Sequence, residues 1–191
     1  MAAEGGAISA PVETEARRDA LVAALRERGI RYLAPSDPPR EDEPALAPQA
    51  LIADLAAQAD ARLRLSLIPL FMLHPEWADL VPRAAAQLDE PARTELMACY
   101  TAAVYLQRQW NIRLGLYLPV VSPLPDWFSE RMGLPSPDER HGKVGLYALA
   151  DWHAAHSPYP FNWLASYQRV IDQLFDQLKQ EARQRERAST R

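Results

Sequence analysis

The stretch DARLRLSLIPLFMLHPEWADLVP, residues 60–82, carries the features that decide the fold. Its apolar residues recur at helical spacing on two faces, one with Leu63, Leu67 and Leu70 and another with Leu65, Ile68 and Met72. A helix that is apolar on most sides is a buried helix. Pro69 should kink the helix, and Pro75 should open a new one with Glu76 in its first turn. The stretch therefore predicts a packing unit of a helical core, not a membrane anchor or a catalytic helix.

Proline and glycine usage extends this prediction to the whole chain. There are 17 prolines and only 7 glycines among the 191 residues, whereas proline averages about 5% in proteins. Prolines between apolar-periodic segments are typical of helix starts and stops. Few glycines and few β-branched runs leave little material for hairpins. We predict an all-α, irregular bundle of about six to seven helices with no sheet.

The overall composition excludes several classes of function. The apolar fraction of 48% and the charged fraction of 24% are those of a globular protein with a real core. A net charge of −4 argues against generic binding to nucleic-acid phosphates. Cys99 is the single cysteine, so neither an intrachain disulfide nor a thiolate metal cluster can form. Residues 1–20 lack a signal-peptide pattern and no apolar run approaches about 20 residues, so we expect a cytoplasmic protein without membrane contact.

The chain divides into four segments by composition. Residues 1–33 are predicted to form an arm with one helix, at residues 14–28, whose sparse apolar side chains favour light docking. Residues 34–48 are an acidic, proline-rich linker. Residues 49–180 form the helical domain, and residues 181–191 form a basic tail.

Within the helical domain, capping residues and apolar spacing predict further helices. They span residues 50–59, 60–74, 75–88, 90–118, 126–132 and 143–155, with a last helix from about residue 162. The helix predicted at residues 90–118 should start at its cap, Asp89. Most of its apolar residues share one stripe, whereas Tyr105 and Ile112 lie off that stripe. We therefore expect this helix to contact neighbours on more than one side.

One segment resembles a known repeat unit. Residues 50–76 contain a short helix, an acid at the turn and a second helix with arginine and an apolar face, through Leu51, Leu55, Asp60, Arg62 or Arg64, Leu67 and Leu70. This pattern resembles a HEAT-type helical repeat, which implies scaffolding or partner binding and no catalytic residue. No second copy occurs at a fixed period, so a single hairpin within a bundle is expected.

A second resemblance rests on the segments RLRLSLIPLFMLHPE, YTAAVYLQRQW and LPDWFS. They resemble stretches of small bacterial helical proteins whose partners are nucleotidyltransferase-like. The resemblance carries no catalytic motif.

The histidines supply one candidate metal site. His153 and His156 are three residues apart, so they share a helix face, and Asp151 could complete a zinc ligand set. The zincin pattern, however, places its histidines four apart with a glutamate between them. The alternative is a partly buried helix end, since both histidines continue an apolar stripe. We predict no catalytic, cofactor or metal residue, and keep these three as the alternative.

Aromatic residues beside prolines supply candidate partner contacts. The set comprises Trp127, Phe128, Tyr159, Phe161 and Trp163. Turn-borne aromatics can be exposed, and protein interfaces are enriched in tryptophan and tyrosine. The alternative is a lid of aromatics that closes the core of the bundle.

These observations favour a non-enzymatic interaction or scaffold protein. It would bind a protein partner through the aromatic loops or through the N-terminal arm, or self-associate as a homo-oligomer. One alternative is a metal-dependent enzyme or binder that uses Asp151, His153 and His156. The other is a nucleic-acid-associated, antitoxin-like accessory protein. It would use the basic tail, which has five basic and two acidic residues from Lys179 onward.

Overall fold

A computed structural model describes residues 9–33 and 46–189 and contains no strand within them. The helices are α1 Ser9–Glu27, α2 Pro48–Ala56, α3 Ala61–Leu65, α4 Leu67–Leu73, α5 Val81–Gln87, α6 Glu90–Leu114, α7 Lys143–His156 and α8 Trp163–Ser189, with 3₁₀ helices at Pro75–Leu80 and Glu139–Gly142. The predicted all-α bundle is confirmed for these residues. None of their helices combines the length and apolar character that crossing a bilayer requires.

The helix predicted at residues 60–74, with a kink at Pro69, is divided into α3 and α4. Asp60 caps α3 by accepting a hydrogen bond from the Arg62 amide at 2.8 Å. The break between α3 and α4 falls at Ser66, in the turn before Pro69. A proline ring crowds the preceding helical turn and cannot donate to it, which explains why the interruption precedes the proline. Pro75 opens a new helix, but a 3₁₀ one that leads into α5.

Helix α6 is the centre of the bundle and packs against α2, α4, α5 and α7. Asp89 caps it as predicted, since its carboxylate accepts a hydrogen bond from the Ala92 amide at 3.1 Å. The helix ends at Leu114, four residues earlier than predicted, because the amides of Leu116 and Tyr117 bond to carbonyls three residues back and the chain continues in turns before Pro119. Most α6 side chains before Arg108 are buried, which explains its contacts on several sides.

Two glycines allow α7 to approach α6 closely. A Cβ atom at Gly142 would lie 2.5 Å from the carbonyl oxygen of Tyr105, and Gly142 also has a φ of 78°. A Cβ atom at Gly145 would overlap the ring of Tyr105. Both positions therefore require the absence of a side chain.

The segment between α6 and α7 is irregular, so the predicted helix at residues 126–132 is wrong. Asp126 does cap a turn there, accepting from the Ser129 amide at 3.0 Å, but the chain turns back at Gly133, whose φ is 68°. Side chains of α6 hold this segment in place. Gln107 accepts from the Leu124 amide at 2.7 Å, and the Tyr100 hydroxyl donates to a carbonyl of the segment.

The N-terminal helix packs more deeply than its sparse apolar residues predicted. Leu21, Val22 and Leu25 are fully buried and belong to the main core. The helix begins at Ser9, before the predicted start at residue 14, and ends before Gly29, whose φ of 84° provides the expected stop. Light docking of the arm is therefore wrong for this helix. The predicted linker falls largely outside the described residues, and its last residue, Pro48, already opens α2.

Helix α8 carries the most regular apolar face and continues through Ser189. The predicted boundary between domain and tail at residue 181 therefore lies inside a helix. Gln177 joins α8 to the turn after α1, because its side-chain oxygen accepts from the Arg31 amide at 2.9 Å and its nitrogen donates to the Gly29 carbonyl at 2.5 Å.

Candidate functional site

The interior contains one group of polar side chains that come from four helices. We call it the polar cluster, and it consists of Arg64 on α3, Glu95 on α6, His153 on α7, Ser157 just after α7, and Tyr167 on α8. Buried charged groups are costly unless they are paired, so a cluster of this kind must be accounted for atom by atom.

Glu95 lies at the centre of the polar cluster. Its Oε2 accepts a hydrogen bond from Arg64 Nε at 3.0 Å, and its Oε1 accepts one from Ser157 Oγ at 2.6 Å. Glu95 Oε1 also lies 3.2 Å from His153 Nε2, off the direct line of a hydrogen bond. Arg64 and Glu95 are only 1% and 2% exposed, so this is an ion pair within the core.

Arg64 also connects α2 to α3. Its Nη1 donates to the carbonyls of Gln58 and Ala59, at 2.5 and 2.8 Å, just beyond the end of α2. The guanidinium carbon lies 3.8 Å from the centre of the Tyr159 ring, a cation–π contact. The arginine that the sequence placed at the head of a buried helix is thus a packing element.

The chemistry of its partners fixes the state of His153. Its Nδ1 lies 2.6 Å from the Tyr167 hydroxyl, and its ring stacks on Trp163 with centroids 3.6 Å apart. Burial raises the pKa of Tyr167 well above its usual value, so the phenol keeps its proton and donates it to Nδ1. Burial lowers the pKa of His153 despite the nearby Glu95. His153 is therefore neutral, with its proton on Nε2 facing the carboxylate.

Glu95 remains ionised in this setting. Burial alone would raise the pKa of its carboxyl group, but the nearby Nε2–H of His153, the hydrogen bond from Ser157 and the charge of Arg64 together lower that pKa below the usual value. The polar cluster therefore contains one carboxylate and one guanidinium in direct contact, with the neutral Ser157 and His153 beside the carboxylate.

The polar cluster lacks the arrangement that nucleophilic catalysis needs. The hydroxyl of Ser157 donates to the Glu95 carboxylate and not to His153, so the cluster does not form the serine–histidine pair that activates a nucleophile. Cys99 is buried in the same region, and burial raises the pKa of its thiol, which disfavours the reactive thiolate. The cluster joins four helices in one fixed arrangement.

The three predicted metal candidates do not converge. His153 is buried in the polar cluster, whereas Asp151 and His156 are exposed. The ring of His156 stacks on Trp152, and its Nδ1 lies 2.8 Å from the Trp152 carbonyl oxygen. Within the described ranges, no three histidine, cysteine or acidic side chains are grouped so that they could hold a metal ion.

The five predicted partner contacts occupy different environments. Trp127 and Phe161 are exposed. Phe128 and Trp163 are buried in the core, as the alternative of an aromatic lid describes. Tyr159 is half-buried, and its ring lies against the guanidinium of Arg64. Trp127 is also anchored, because its Nε1 donates to the Ala78 carbonyl at 3.2 Å.

A surface that the sequence did not single out is the most exposed apolar one. Ile112, Leu116 and Val120 are 88%, 75% and 72% exposed, and we call them the aliphatic patch. Ile112 and Leu116 lie one turn apart at the end of α6, and Val120 follows Pro119. One signal was present in the sequence, since Ile112 lies off the apolar stripe of its helix.

Comparison of the chain with protein-family models, with curated proteins and with solved structures finds no match. The HEAT-type resemblance of residues 50–76 therefore stays a prediction, although α2, α3 and α4 do form helices in contact.

Proposed function

We propose that this protein is a non-enzymatic helical interaction protein that binds a protein partner through the aliphatic patch. One observation carries the proposal, namely that three large aliphatic side chains stand four residues apart in the chain and are mostly exposed to solvent. Single exposed apolar residues are ordinary, whereas grouped ones mark interaction surfaces.

The positions of the other apolar candidates for partner binding support this choice of surface. The large apolar side chains of α1 between residues 15 and 27, namely Leu21, Val22 and Leu25, are buried in the core. Phe128 and Trp163 are likewise buried. Trp127 is exposed and supplies a further aromatic contact for the partner. The aliphatic patch, in contrast, is already exposed and needs no rearrangement of the bundle to bind.

The two alternative functions draw less support from the geometry. An enzyme or metal binder at Asp151, His153 and His156 would require side chains that point apart to come together. Nucleic-acid binding by the tail would use arginines at the end of α8, but Arg185 lies 3.6 Å from Glu181 and Lys179 lies 3.2 Å from Asp176. These pairings reduce the free positive charge of the helix.

The experiment compares the wild-type protein with the double variant Ile112→Gln/Leu116→Gln. Glutamine keeps the helix propensity at Ile112 on α6, suits the exposed turn at Leu116, and removes the apolar surface of both positions. The matched control is Tyr147→Gln, which alters another exposed apolar side chain, on α7. Tagged proteins are used to capture partners from native lysate, and light scattering measures self-association over a range of concentrations.

We expect wild type and Tyr147→Gln to show the same specific association, with another protein or with a second copy. The double variant should lose it by about a hundredfold in Kd, because burying one large aliphatic side chain contributes about 1.5–3 kcal/mol. All three proteins should have the same melting temperature. A wild-type protein that is monomeric and captures nothing specific, or a double variant that associates normally, would overturn the proposal.

A further inference from the structure

A cavity of about 490 Å³ lies between α3 and α8, next to the turn that follows α1. We call it the α3–α8 cavity. Its volume falls in the range of about 300–1,000 Å³ that is typical of small-molecule sites. It is formed by residues other than those of the aliphatic patch, so a ligand site in this cavity is independent of the proposed function.

One part of the cavity wall is apolar. It consists of the side chains of Leu33, Leu65, Phe161 and Val170. Phe161 is also one of the two aromatic candidates that reach solvent, and this position gives it a role at the mouth of the cavity. An apolar wall of this size favours a ligand with a hydrocarbon or aromatic body.

The charged side chains among the described residues of the wall are both cationic. Arg62 and Arg169 line the cavity, and no acidic side chain is among its described lining residues. Neither guanidinium has an ion pair within residues 9–33 and 46–189, whereas Arg64 and Arg108 each pair with a carboxylate. A guanidinium stays charged at all ordinary pH values and favours a planar, bidentate anion.

Tyr32, whose hydroxyl is a buried donor, also lines this cavity. The Tyr32 hydroxyl is shielded from solvent and makes no hydrogen bond to any described residue. Burial raises the pKa of this phenol, so it keeps its proton and remains a donor. Unsatisfied buried donors are rare in folded proteins, and a ligand oxygen would satisfy this one.

We propose that the α3–α8 cavity binds a small amphipathic carboxylate, whose apolar body contacts Leu65 and Phe161 and whose carboxylate pairs with Arg62 and Arg169. The apolar wall of the cavity contacts the body of this ligand, and the guanidinium groups of Arg62 and Arg169 pair with its carboxylate. The Tyr32 hydroxyl donates a further hydrogen bond to the ligand. A bare inorganic anion would leave the apolar wall unused.

The test uses octanoate as the probe and isothermal titration calorimetry on the full chain. Acetate carries the same charge without the chain, and n-octylammonium carries the same chain with the opposite charge. The variants are Arg62→Gln/Arg169→Gln and, as a charge-matched control on the distal part of α8, Arg183→Gln/Arg187→Gln. All four arginines are exposed, so both variants should fold, as circular dichroism will check.

We expect octanoate to saturate one site, with acetate and n-octylammonium at least about tenfold weaker. Arg62→Gln/Arg169→Gln should weaken octanoate binding at least about tenfold, because both charge-assisted hydrogen bonds to the carboxylate are lost. The control pair should bind normally. Failure of octanoate to bind at about 10 mM overturns the proposal. So does binding of acetate or n-octylammonium to wild type with the affinity of octanoate, or unchanged octanoate affinity in Arg62→Gln/Arg169→Gln.

Tyr32→Phe separates a ligand role from a structural one. Removing an unpartnered buried hydroxyl should not lower the melting temperature of the free protein. The same change should weaken octanoate binding several-fold, because the ligand loses a donor. A variant that binds octanoate with unchanged affinity would remove Tyr32 from the site.

Discussion

Replacement of Arg64 by methionine removes the cation beside Glu95 but keeps much of the volume of the side chain. The change leaves a carboxylate that is 2% exposed without its charged partner. It also frees the carbonyls of Gln58 and Ala59, which Arg64 now satisfies. Loss of one partner of a buried ion pair costs about 3–5 kcal/mol, and the whole stability of a domain is about 5–15 kcal/mol. Arg64→Met should therefore lose a large part of the free energy of unfolding.

A double-mutant cycle isolates the ion pair from these other losses. Glu95→Leu alone should also destabilise strongly, since it leaves Arg64 charged within the core. Arg64→Met/Glu95→Leu contains no buried charge, so it should be more stable than the sum of the single effects implies, by roughly 2 kcal/mol or more. Urea unfolding followed by circular dichroism measures all four proteins.

Two outcomes would refute this reasoning. One is that the single variants each cost less than about 1 kcal/mol, as exposed ion pairs do. The other is that the two single effects add without coupling, since residues in direct contact should not be independent. Either outcome would mean that the polar cluster does not hold its helices together in the way described.

Three further predictions concern the interior. Because the pKa of His153 is lowered, the unfolded chain takes up a proton near pH 6.5 that the folded chain does not. The free energy of unfolding should therefore be highest above that pH and fall by up to about 1.4 kcal/mol per pH unit below it. Urea unfolding between about pH 7 and 5 should show a flatter pH dependence for His153→Gln than for wild type. An equal pH dependence in the two proteins would contradict this prediction. The new methyl group of Gly142→Ala meets the backbone of Tyr105, whereas that of Gly133→Ala meets nothing within 4 Å. In thermal unfolding, Gly142→Ala should therefore lose at least about 2 kcal/mol more stability than Gly133→Ala. Equal losses of stability would argue against close packing of α7 on α6. The Cys99 thiol should react with a chromogenic disulfide reagent only on unfolding, because it is buried and burial raises its pKa; fast reaction of the native protein would be inconsistent with that burial.

Local signals predicted much of the fold. Asp60 and Asp89 cap helices because their carboxylates reach amides two or three residues onward, a relation that lies entirely within the sequence neighbourhood. The stop at Gly29 and the interruption before Pro69 are likewise properties of single residues. Short irregular segments were harder, since Asp126 forms the expected cap but the chain turns away before a helix develops.

The polar cluster and the surface sites depend on contacts between distant parts of the chain. Glu95 meets Arg64 from 31 residues away and meets Ser157 from 62 residues away. No periodicity encodes which side chains meet across such separations. The metal prediction paired His153 with neighbours in sequence, and the fold instead paired it with Tyr167 and Glu95. Exposure of Ile112 likewise follows from where α6 ends relative to its neighbours.

The proposed binding surface can be probed at a single position. A photo-crosslinking phenylalanine derivative replaces Leu116 in one protein and Arg187, on the distal part of α8, in another. After irradiation in native lysate, mass spectrometry identifies the crosslinked species. We predict that position 116 gives one discrete protein adduct, or a dimer of this chain. Position 187 should not give that adduct. No adduct at position 116, or the same adducts at both positions, would contradict binding through the aliphatic patch.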